Sequence, residues 1–292
     1  MRIGVDLGNY AVKTSMKDSF LSKVTTKEGF NSTPFYLDYD KFYVEEGEFS
    51  TDYNKAEKDI TIQLLYYALA KYDANIFDIV VSLPISQYKA KKQGFEQLIR
   101  NNNVKTVSFG NMTKDIMIDK ILVMPEGASA IYNLSKEQRE VIGTKQLLIV
   151  DIGGRTTDVA LFINNKIKDV KTVSTGSLTV YEEIVEEVNN KFITDFKLED
   201  GEELLKNGLF LKGKQQDLRF IVEILKRHFN AIYKELQLKF NLDLGYVLLT
   251  GGGSYLFRKA FKNRLSNVLL SSDPIFDNAI GSLKAGERIW QE

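Results

Sequence analysis

Three glycine-bearing segments carry residue types able to grip a polyphosphate. The first is Gly4-Val5-Asp6-Leu7-Gly8-Asn9-Tyr10-Ala11-Val12-Lys13. A short apolar stretch ends on a carboxylate and turns through glycine into a second strand. At such a tip several backbone N–H groups point outward and can donate to phosphate oxygens. Gly8 has no Cβ to hold a ligand away from the backbone, and Lys13 can add positive charge. Asp6 would repel phosphate, so a cation has to stand between them; Mg²⁺ is commonly held through one or two carboxylates plus phosphate. The same residues also suit a plain β-hairpin with a surface Asp-Gly turn.

The second segment, residues 148–159, repeats the pattern with Asp151 in the place of Asp6. Gly153 and Gly154 free the turn, and Thr156 and Thr157 offer hydroxyl donors. A strand as apolar as residues 147–150 belongs in a core, and a buried strand ending on a carboxylate needs a reason. Two such tips face to face would clamp a triphosphate with the metal between them; a second surface hairpin is the alternative. The third segment is Val247-Leu248-Leu249-Thr250-Gly251-Gly252-Gly253-Ser254. Three successive glycines cost conformational entropy, which a ligand packed on the backbone explains. A base or ribose can lie there, near the N-terminus of the helix that follows; a strand–helix turn without ligand is the other reading. The segment is neither a Gly-Lys-Ser/Thr phosphate loop nor a Gly-x-Gly-x-x-Gly dinucleotide fingerprint.

Composition narrows the chemistry further. The 292 residues hold no cysteine and one histidine, His228. Disulfides, thiolate catalysis and Cys-ligated metals are excluded, a His-rich metal site is impossible, and a Ser-His-Asp triad is improbable. Lys plus Arg and Asp plus Glu are 39 each, so a general electrostatic grip on nucleic acid or acidic membrane is not expected. The first residues lack the apolar run of a secretory signal, and no apolar stretch approaches the length of a membrane span. A cytoplasmic protein is expected. Length alone suggests two domains.

The elements that must position these residues follow from hydrophobic periodicity. Strands are expected at 2–6, 10–16 and 20–25, a hairpin at 35–44, a helix at 56–72, a strand at 76–83 and a helix at 86–100. Strands at 104–109 and 116–123 precede a helix from Pro125 to about Leu134. In the second half, strands are expected at 147–152, 156–163 and 167–174, then a helix at 178–196. A polar insertion at about 197–216 comes before a long helix at 218–240. A strand at 246–250, a helix at 255–265, a strand at 268–270 and a helix at 275–290 finish the chain. His228 lies among Leu225, Phe229 and Ile232 and reads as structural. The halves echo each other: Asp6-Leu7-Gly8-Asn9 matches Asp151-Ile152-Gly153-Gly154, each within strand, turn, strand, strand, helix, strand. Such an echo suggests a duplicated α/β unit with a site where the copies face each other.

In order and spacing the three segments resemble the actin-like ATPase superfamily, which spans actin, its bacterial homologues, large ATP-dependent chaperones and sugar kinases. Residues 4–13 look like its first phosphate motif, 148–159 its second and 247–254 its adenosine motif. Met124-Pro125-Glu126-Gly127-Ala128 and the segment Asn278 to Gly286 resemble its two connecting segments, whose glycines and alanines let helices cross closely at a hinge. Ile79 to Pro84 fits the strand before that region. The wording Asp-Ile-Gly-Gly-Arg-Thr-Thr-Asp is most similar to ParM/StbA-type plasmid-partition actins.

The resemblance implies an α/β, actin-like (ribonuclease H-like) duplicated fold with ATP in the interdomain cleft. Domain I would be residues 1–146 plus 272–292, and domain II residues 147–271. Asp6 and Asp151 would hold hydrated Mg²⁺, and Glu126, with Asp151, would be catalytic, Glu126 orienting the attacking water. Gly8, Asn9, Lys13 and the 153–157 turn (Gly153, Gly154, Thr156 and Thr157) would bind phosphates, and Tyr10 would be a further cofactor contact. Arg155 either adds charge near the γ-phosphate or points to solvent. Gly251, Gly252, Gly253 and Ser254 would contact adenosine, with Glu182 and Lys226 further candidates from the neighbouring helices. The implied function is Mg²⁺-dependent ATP hydrolysis controlling a filament that segregates or positions DNA, a plasmid first of all. Partners would be further copies of the chain and a DNA-binding adaptor at a centromere-like site, with no strong direct nucleic-acid binding and no membrane. The alternatives are a small-molecule kinase of the same fold and a cytoskeletal scaffold not linked to DNA.

Overall fold

The computed structural model describes residues 1–30, 32–50, 58 and 60–291. The first half runs β1 (Arg2–Leu7), β2 (Ala11–Thr14), β3 (Ser19–Leu21), β4 (Lys23–Thr25), β5 (Phe35–Leu37), β6 (Asp40–Phe49), α1 (Thr61–Ala70), β7 (Ile76–Leu83), α2 (Ile85–Arg100), β8 (Val104–Phe109) and β9 (Met112–Pro125). A 3₁₀ turn (Ala128–Asn133) and α3 (Lys136–Ile142) lead into β10 (Leu147–Ile152), β11 (Thr157–Ile163), β12 (Lys166–Val173) and α4 (Ser177–Phe192). Then come α5 (Gly201–Asn207), the short pair β13 (Phe210–Leu211) and β14 (Lys214–Gln215), α6 (Phe220–Lys239), β15 (Tyr246–Thr250), α7 (Ser254–Arg264), β16 (Val268–Leu270) and α8 (Asp277–Gln291).

Two sheets carry the echo seen in the sequence. The second is ordered β12-β11-β10-β15-β16, and the first contains the same arrangement as β3-β2-β1-β7-β9, extended by β8-β5-β6-β4. In each copy the strand with aspartate as its penultimate residue lies antiparallel to the next strand and parallel to a later one. The register places Asp6 opposite Lys13 and Asp151 opposite Asp158, so the copies differ in charge beside their aspartates. Every residue of β10 is buried, as an unbroken apolar run predicts for a strand covered on both faces. Each sheet has its own core, and a smaller cluster that includes Ile85, Ala128, Ile149, Phe162 and Leu248 joins the halves.

The C-terminal α8 returns to the first half, packing on β1, β7 and the 3₁₀ turn. Small residues permit that approach. A Cβ on Gly4 would lie 2.1 Å from the Ala279 carbonyl oxygen, and one on Gly281 2.1 Å from that of Ser129. The close crossing expected from these glycines is thus between α8 and a 3₁₀ turn on one side and β1 on the other.

Several expected elements differ. The strand at 20–25 breaks at Ser22, whose N–H and hydroxyl bond the Tyr10 and Gly8 carbonyls; the chain then leaves β2, and β4 pairs with β6. The expected helix at Pro125 does not form. Pro125 ends β9 opposite Leu83, the Glu126 N–H bonds the Leu83 carbonyl at 2.7 Å, and Gly127 turns the chain at φ 72°. Helix α3 was not expected, although Ser135 and Gln138 form a reciprocal capping box at its start. The helix expected at 56–72 is seen as α1, and residues 56, 57 and 59 lie outside the described residues. The helix expected to reach 196 stops at Phe192 because Ile193 adopts the left-handed conformation, φ 55°. The polar insertion folds into a 3₁₀ turn (Leu198–Asp200), α5 and the β13–β14 pair.

Candidate functional site

The two aspartate-bearing tips meet. Gly154 approaches Tyr10 so closely that a Cβ on it would lie 2.8 Å from the Tyr10 Cβ. Between the tips lies a small cavity lined by Asp6, Gly8, Asn9, Tyr10 and Lys13 from the first, and by Asp151, Gly153, Gly154, Thr156 and Asp158 from the second. Glu126 joins the lining from the segment after β9, Gly251 and Gly252 from the loop after β15, and Ile275 and Asn278 from the start of α8. Residues that are far apart in the chain share this space because Asp6, Glu126, Asp151 and Gly251 sit at or just beyond the C-terminal ends of parallel strands, where open α/β sheets leave a crevice. The antiparallel β2 and β11 and the start of α8 fold back beside them.

The electrostatics of this cavity are unusual for an interior. Asp6 and Asp151 are each 5% exposed and Glu126 is 7% exposed. Lys13 Nζ lies 3.4 Å from Asp6 Oδ2. Asn278 donates to Asp151 Oδ2 at 2.6 Å and accepts from the Gly127 N–H at 3.0 Å, so α8 ties the β10 tip to the segment beside Glu126. Burial pushes the Asp151 carboxyl up to about 7; the charges of Asp158 and Asp6 add to this, and the Asn278 hydrogen bond and Lys13 oppose it. A buried carboxylate crowded by two others favours a cation beside it. Among the described residues no group of three or more His, Asp or Glu side chains surrounds a common point. Two hard carboxylates facing one cavity nonetheless fit Mg²⁺, which keeps several waters and completes its shell with phosphate oxygens.

A second cavity of about 660 Å³ adjoins the first, sharing Tyr10, Lys13, Gly153, Gly154, Gly252 and Ile275. Its far walls are Tyr181 on α4, Glu202, Leu205 and Lys206 on α5, and Gly253, Tyr255 and Leu256 around the start of α7. Its size falls in the range of small-molecule pockets. Tyr10 spans the mouth: its hydroxyl donates to Glu202 Oε2 at 2.8 Å, and its ring stacks on Phe49 at 5.6 Å. Lys206 Nζ reaches the other Glu202 oxygen at 2.5 Å, and Lys23 Nζ pairs with Glu199 Oε1 at 3.0 Å. The insertion therefore closes this cavity from the second half against β2, β4 and β6 of the first.

Most residues expected at the site line one of these cavities, and some do not. Asn9 lines the small cavity, and its side-chain Oδ1 accepts from buried Lys58 Nζ at 2.6 Å. The Thr157 hydroxyl donates to the Thr175 carbonyl at 2.8 Å, so it serves the turn and not the cavity. Arg155 is half-buried and in neither lining. Glu182 is exposed on α4, one position past the cavity-lining Tyr181; a helix turns about 100° per residue, so neighbours face apart. Lys226 is exposed and paired with Glu223 at 2.6 Å. Ser254 borders a different cavity behind the glycine loop. Gly251 is required by its own turn, at φ 79° and with a missing Cβ that would lie 2.2 Å from Asp151 Oδ1. Gly252 is not: nothing in the protein lies within 4 Å of its absent Cβ, so the space it leaves opens on the cavities. Tyr181, Glu202, Lys206, Asp158 and Asn278 were missed. Asn278 stood in a segment already noted, whereas Glu202 and Lys206 carried no signal beyond a polar insertion.

Comparison with known proteins agrees with this architecture. Residues 4–128 match the family model for the N-terminal domain of actin-like proteins, and residues 149–263 that for the C-terminal domain of the archaeal MreB-like actin homologue. No curated protein matches the chain. Among solved structures, the archaeal actin homolog Ta0583 in complex with ADP is 19% identical with a TM-score of 0.81, over 99% of either chain. The ParM of a 15-stranded filament from Clostridium botulinum is 18% identical with a TM-score of 0.79, over 98% of this chain and 99% of its own. A non-polymerisable quadruple mutant of pCBH ParM is 20% identical with a TM-score of 0.79, over the same shares.

Proposed function

The chain belongs to the actin-like superfamily, and on that premise we propose that it is an ATP-hydrolysing filament protein that moves or positions DNA. One observation carries the reading: both glycine tips, both buried aspartates and Glu126 converge on a single cavity that opens into a nucleotide-sized one between the halves. Asp6 and Asp151 would hold Mg²⁺, which when bound neutralises phosphate charge. Gly8, Asn9, Lys13, Gly153, Gly154 and Thr156 would cradle the phosphates through N–H groups, a hydroxyl and an ammonium. Glu126 would orient the attacking water, since phosphoryl transfer asks mainly for positioning and charge stabilisation. The base and ribose would lie in the larger cavity against Gly252, Tyr255, Tyr181 and the α5 wall.

Residues 1–146 with 272–292, and residues 147–271, would close on ATP as two domains. ATP would favour the assembly-competent closed state, and hydrolysis would release it. Head-to-tail contacts that do not close a ring give an open filament. The ParM relatives that form filaments support this self-association. Equal numbers of acidic and basic side chains argue against direct DNA wrapping and for a separate DNA-binding adaptor. Light scattering on addition of ATP and Mg²⁺, with phosphate release followed in parallel, tests the reading. The expected result is a rise above a threshold protein concentration, followed by decay as phosphate appears. A flat trace at every concentration, with phosphate released only when a sugar or other acceptor is added, overturns it.

A further inference from the structure

Two side-chain bridges cross the mouth of the larger cavity, and both join the first half to one short segment of the second. Tyr10 donates to Glu202 Oε2 at 2.8 Å, and Lys23 Nζ pairs with Glu199 Oε1 at 3.0 Å. On the first-half side the bridging groups form one row. The Tyr10 ring stacks on Phe49 at 5.6 Å, and the Lys23 ammonium lies 5.5 Å over the same Phe49 ring. On the other side the segment is firmly seated: a Cβ on Gly201 would lie 2.6 Å from the Tyr181 Cβ, so the stretch carrying Glu199 and Glu202 is pressed onto α4. Burial would raise both carboxyls, but hydrogen bonds hold them below the ordinary carboxylate range. Glu199 accepts from its own N–H and from Lys23, and Glu202 from Lys206 and Tyr10, so both are anions at neutral pH. Lys23 is 5% exposed, and among the described residues Glu199 is the only carboxylate its ammonium pairs with. A buried ammonium is costly unless it is paired. Its partner belongs to the other half, so the charge of Lys23 is compensated only while the mouth is shut. Neither Lys23 nor Glu199 lines either cavity, so the pair acts on the opening and not on an occupant.

We propose, resting on the reading of the larger cavity as a nucleotide site, that the two bridges form a strap that must open for a nucleotide to enter or leave. The Lys23–Glu199 pair then sets how long the nucleotide stays. The strap joins protein to protein, so loosening it speeds entry and exit by one factor and leaves affinity near its original value. A lost ligand contact would instead speed exit alone and weaken binding. Glu199→Gln leaves the Lys23 ammonium uncompensated, and Glu199→Lys sets two like charges face to face; both favour the open mouth, where Lys23 meets water.

The test is stopped-flow exchange of N-methylanthraniloyl-ATP on the full chain with Mg²⁺, association and release measured separately, the latter by chasing with unlabelled ATP. Release and association should both rise roughly fivefold in Glu199→Gln and roughly tenfold or more in Glu199→Lys. Adding Lys23→Glu to Glu199→Lys restores opposite charges and should bring both rates back toward the wild type. A covalent strap gives an independent arm. The chain has no cysteine, so Lys23→Cys with Glu199→Cys supplies the only two thiols, and bridging them with a short bismaleimide should slow release roughly tenfold or more relative to the unbridged variant. Wild-type rates in Glu199→Lys, faster release with unchanged association, a charge swap as fast as Glu199→Lys, or free exchange from the bridged chain each overturns the strap. If the labelled ATP binds the wild type saturably and only these effects are missing, the strap fails and the nucleotide site stands. If it does not bind the wild type at all, the reading of the cleft fails and the strap with it.

Discussion

At the scale of single residues, the site is built from charges that the fold brings together at a cost. Asp151 is the clearest case. Its carboxyl titrates near 7 in the folded chain because it is buried and faces Asp158 and Asp6, whereas an unfolded aspartate titrates near 3.9. The folded state therefore holds the extra proton between those values. Its contribution to stability is fully present below about pH 4 and is lost as pH rises toward 7. We expect the melting temperature of the ligand-free protein to fall across that window more steeply than that of Asp151→Asn, measured by calorimetry at several pH values. Parallel pH profiles would contradict this account of Asp151. Gly252 makes a complementary case. Its missing Cβ meets only open space, so Gly252→Ala should leave the melting temperature unchanged and weaken ATP binding several-fold in a calorimetric titration. A substitution that lowered stability and spared binding would mean that the glycine serves the turn.

At the scale of elements, α8 decides how the site is held. It comes from the end of the chain, packs on β1, β7 and the 3₁₀ turn, and sends Asn278 to both Asp151 and the Gly127 N–H. Its docking depends on glycine where a side chain has no room: a Cβ on Gly281 would lie 2.1 Å from the Ser129 carbonyl oxygen. Gly281→Ala should destabilise the protein by about 1–3 kcal/mol, the ordinary cost of overpacking. Chemical denaturation measures this directly, and an unchanged midpoint would show that the 3₁₀ turn yields. The insertion between α4 and α6 is the second such element. Glu199 and Glu202 meet Lys23 and Tyr10 across the mouth of the larger cavity, so a segment that reads as a short polar insertion forms a wall.

At the scale of the whole molecule, two copies of one α/β arrangement enclose a cleft whose chemistry comes from both. In that arrangement Glu126 stands beside the two glycine tips and away from the α5 wall. Glu126→Ala should therefore bind ATP with near wild-type affinity and release phosphate roughly tenfold more slowly or worse. Its filaments should form at a similar threshold and outlast those of the wild type in the light-scattering trace. Turnover at the wild-type rate would remove Glu126 from the mechanism.

What the sequence by itself determined was everything that local pattern encodes. Asp6-Leu7-Gly8-Asn9 and Asp151-Ile152-Gly153-Gly154 announced the turns, the apolar run 147–152 announced a buried strand, and the shared order of elements announced the duplication that both sheets display. A strand's period and a glycine's freedom are properties of neighbours in the chain, so they can be read there. Tertiary structure alone decided the rest. Whether α4 presents Tyr181 or Glu182 to the cavity is set by how the helix rotates into the second core, against α5 and α6. That Glu202 faces Tyr10 depends on where an insertion comes to lie 192 residues away along the chain. Pro125 ends a strand because a ladder partner, Leu83, captures it before a helix can start. Each of these is a choice between locally similar alternatives, and only the packing of distant surfaces carries enough free energy to make it.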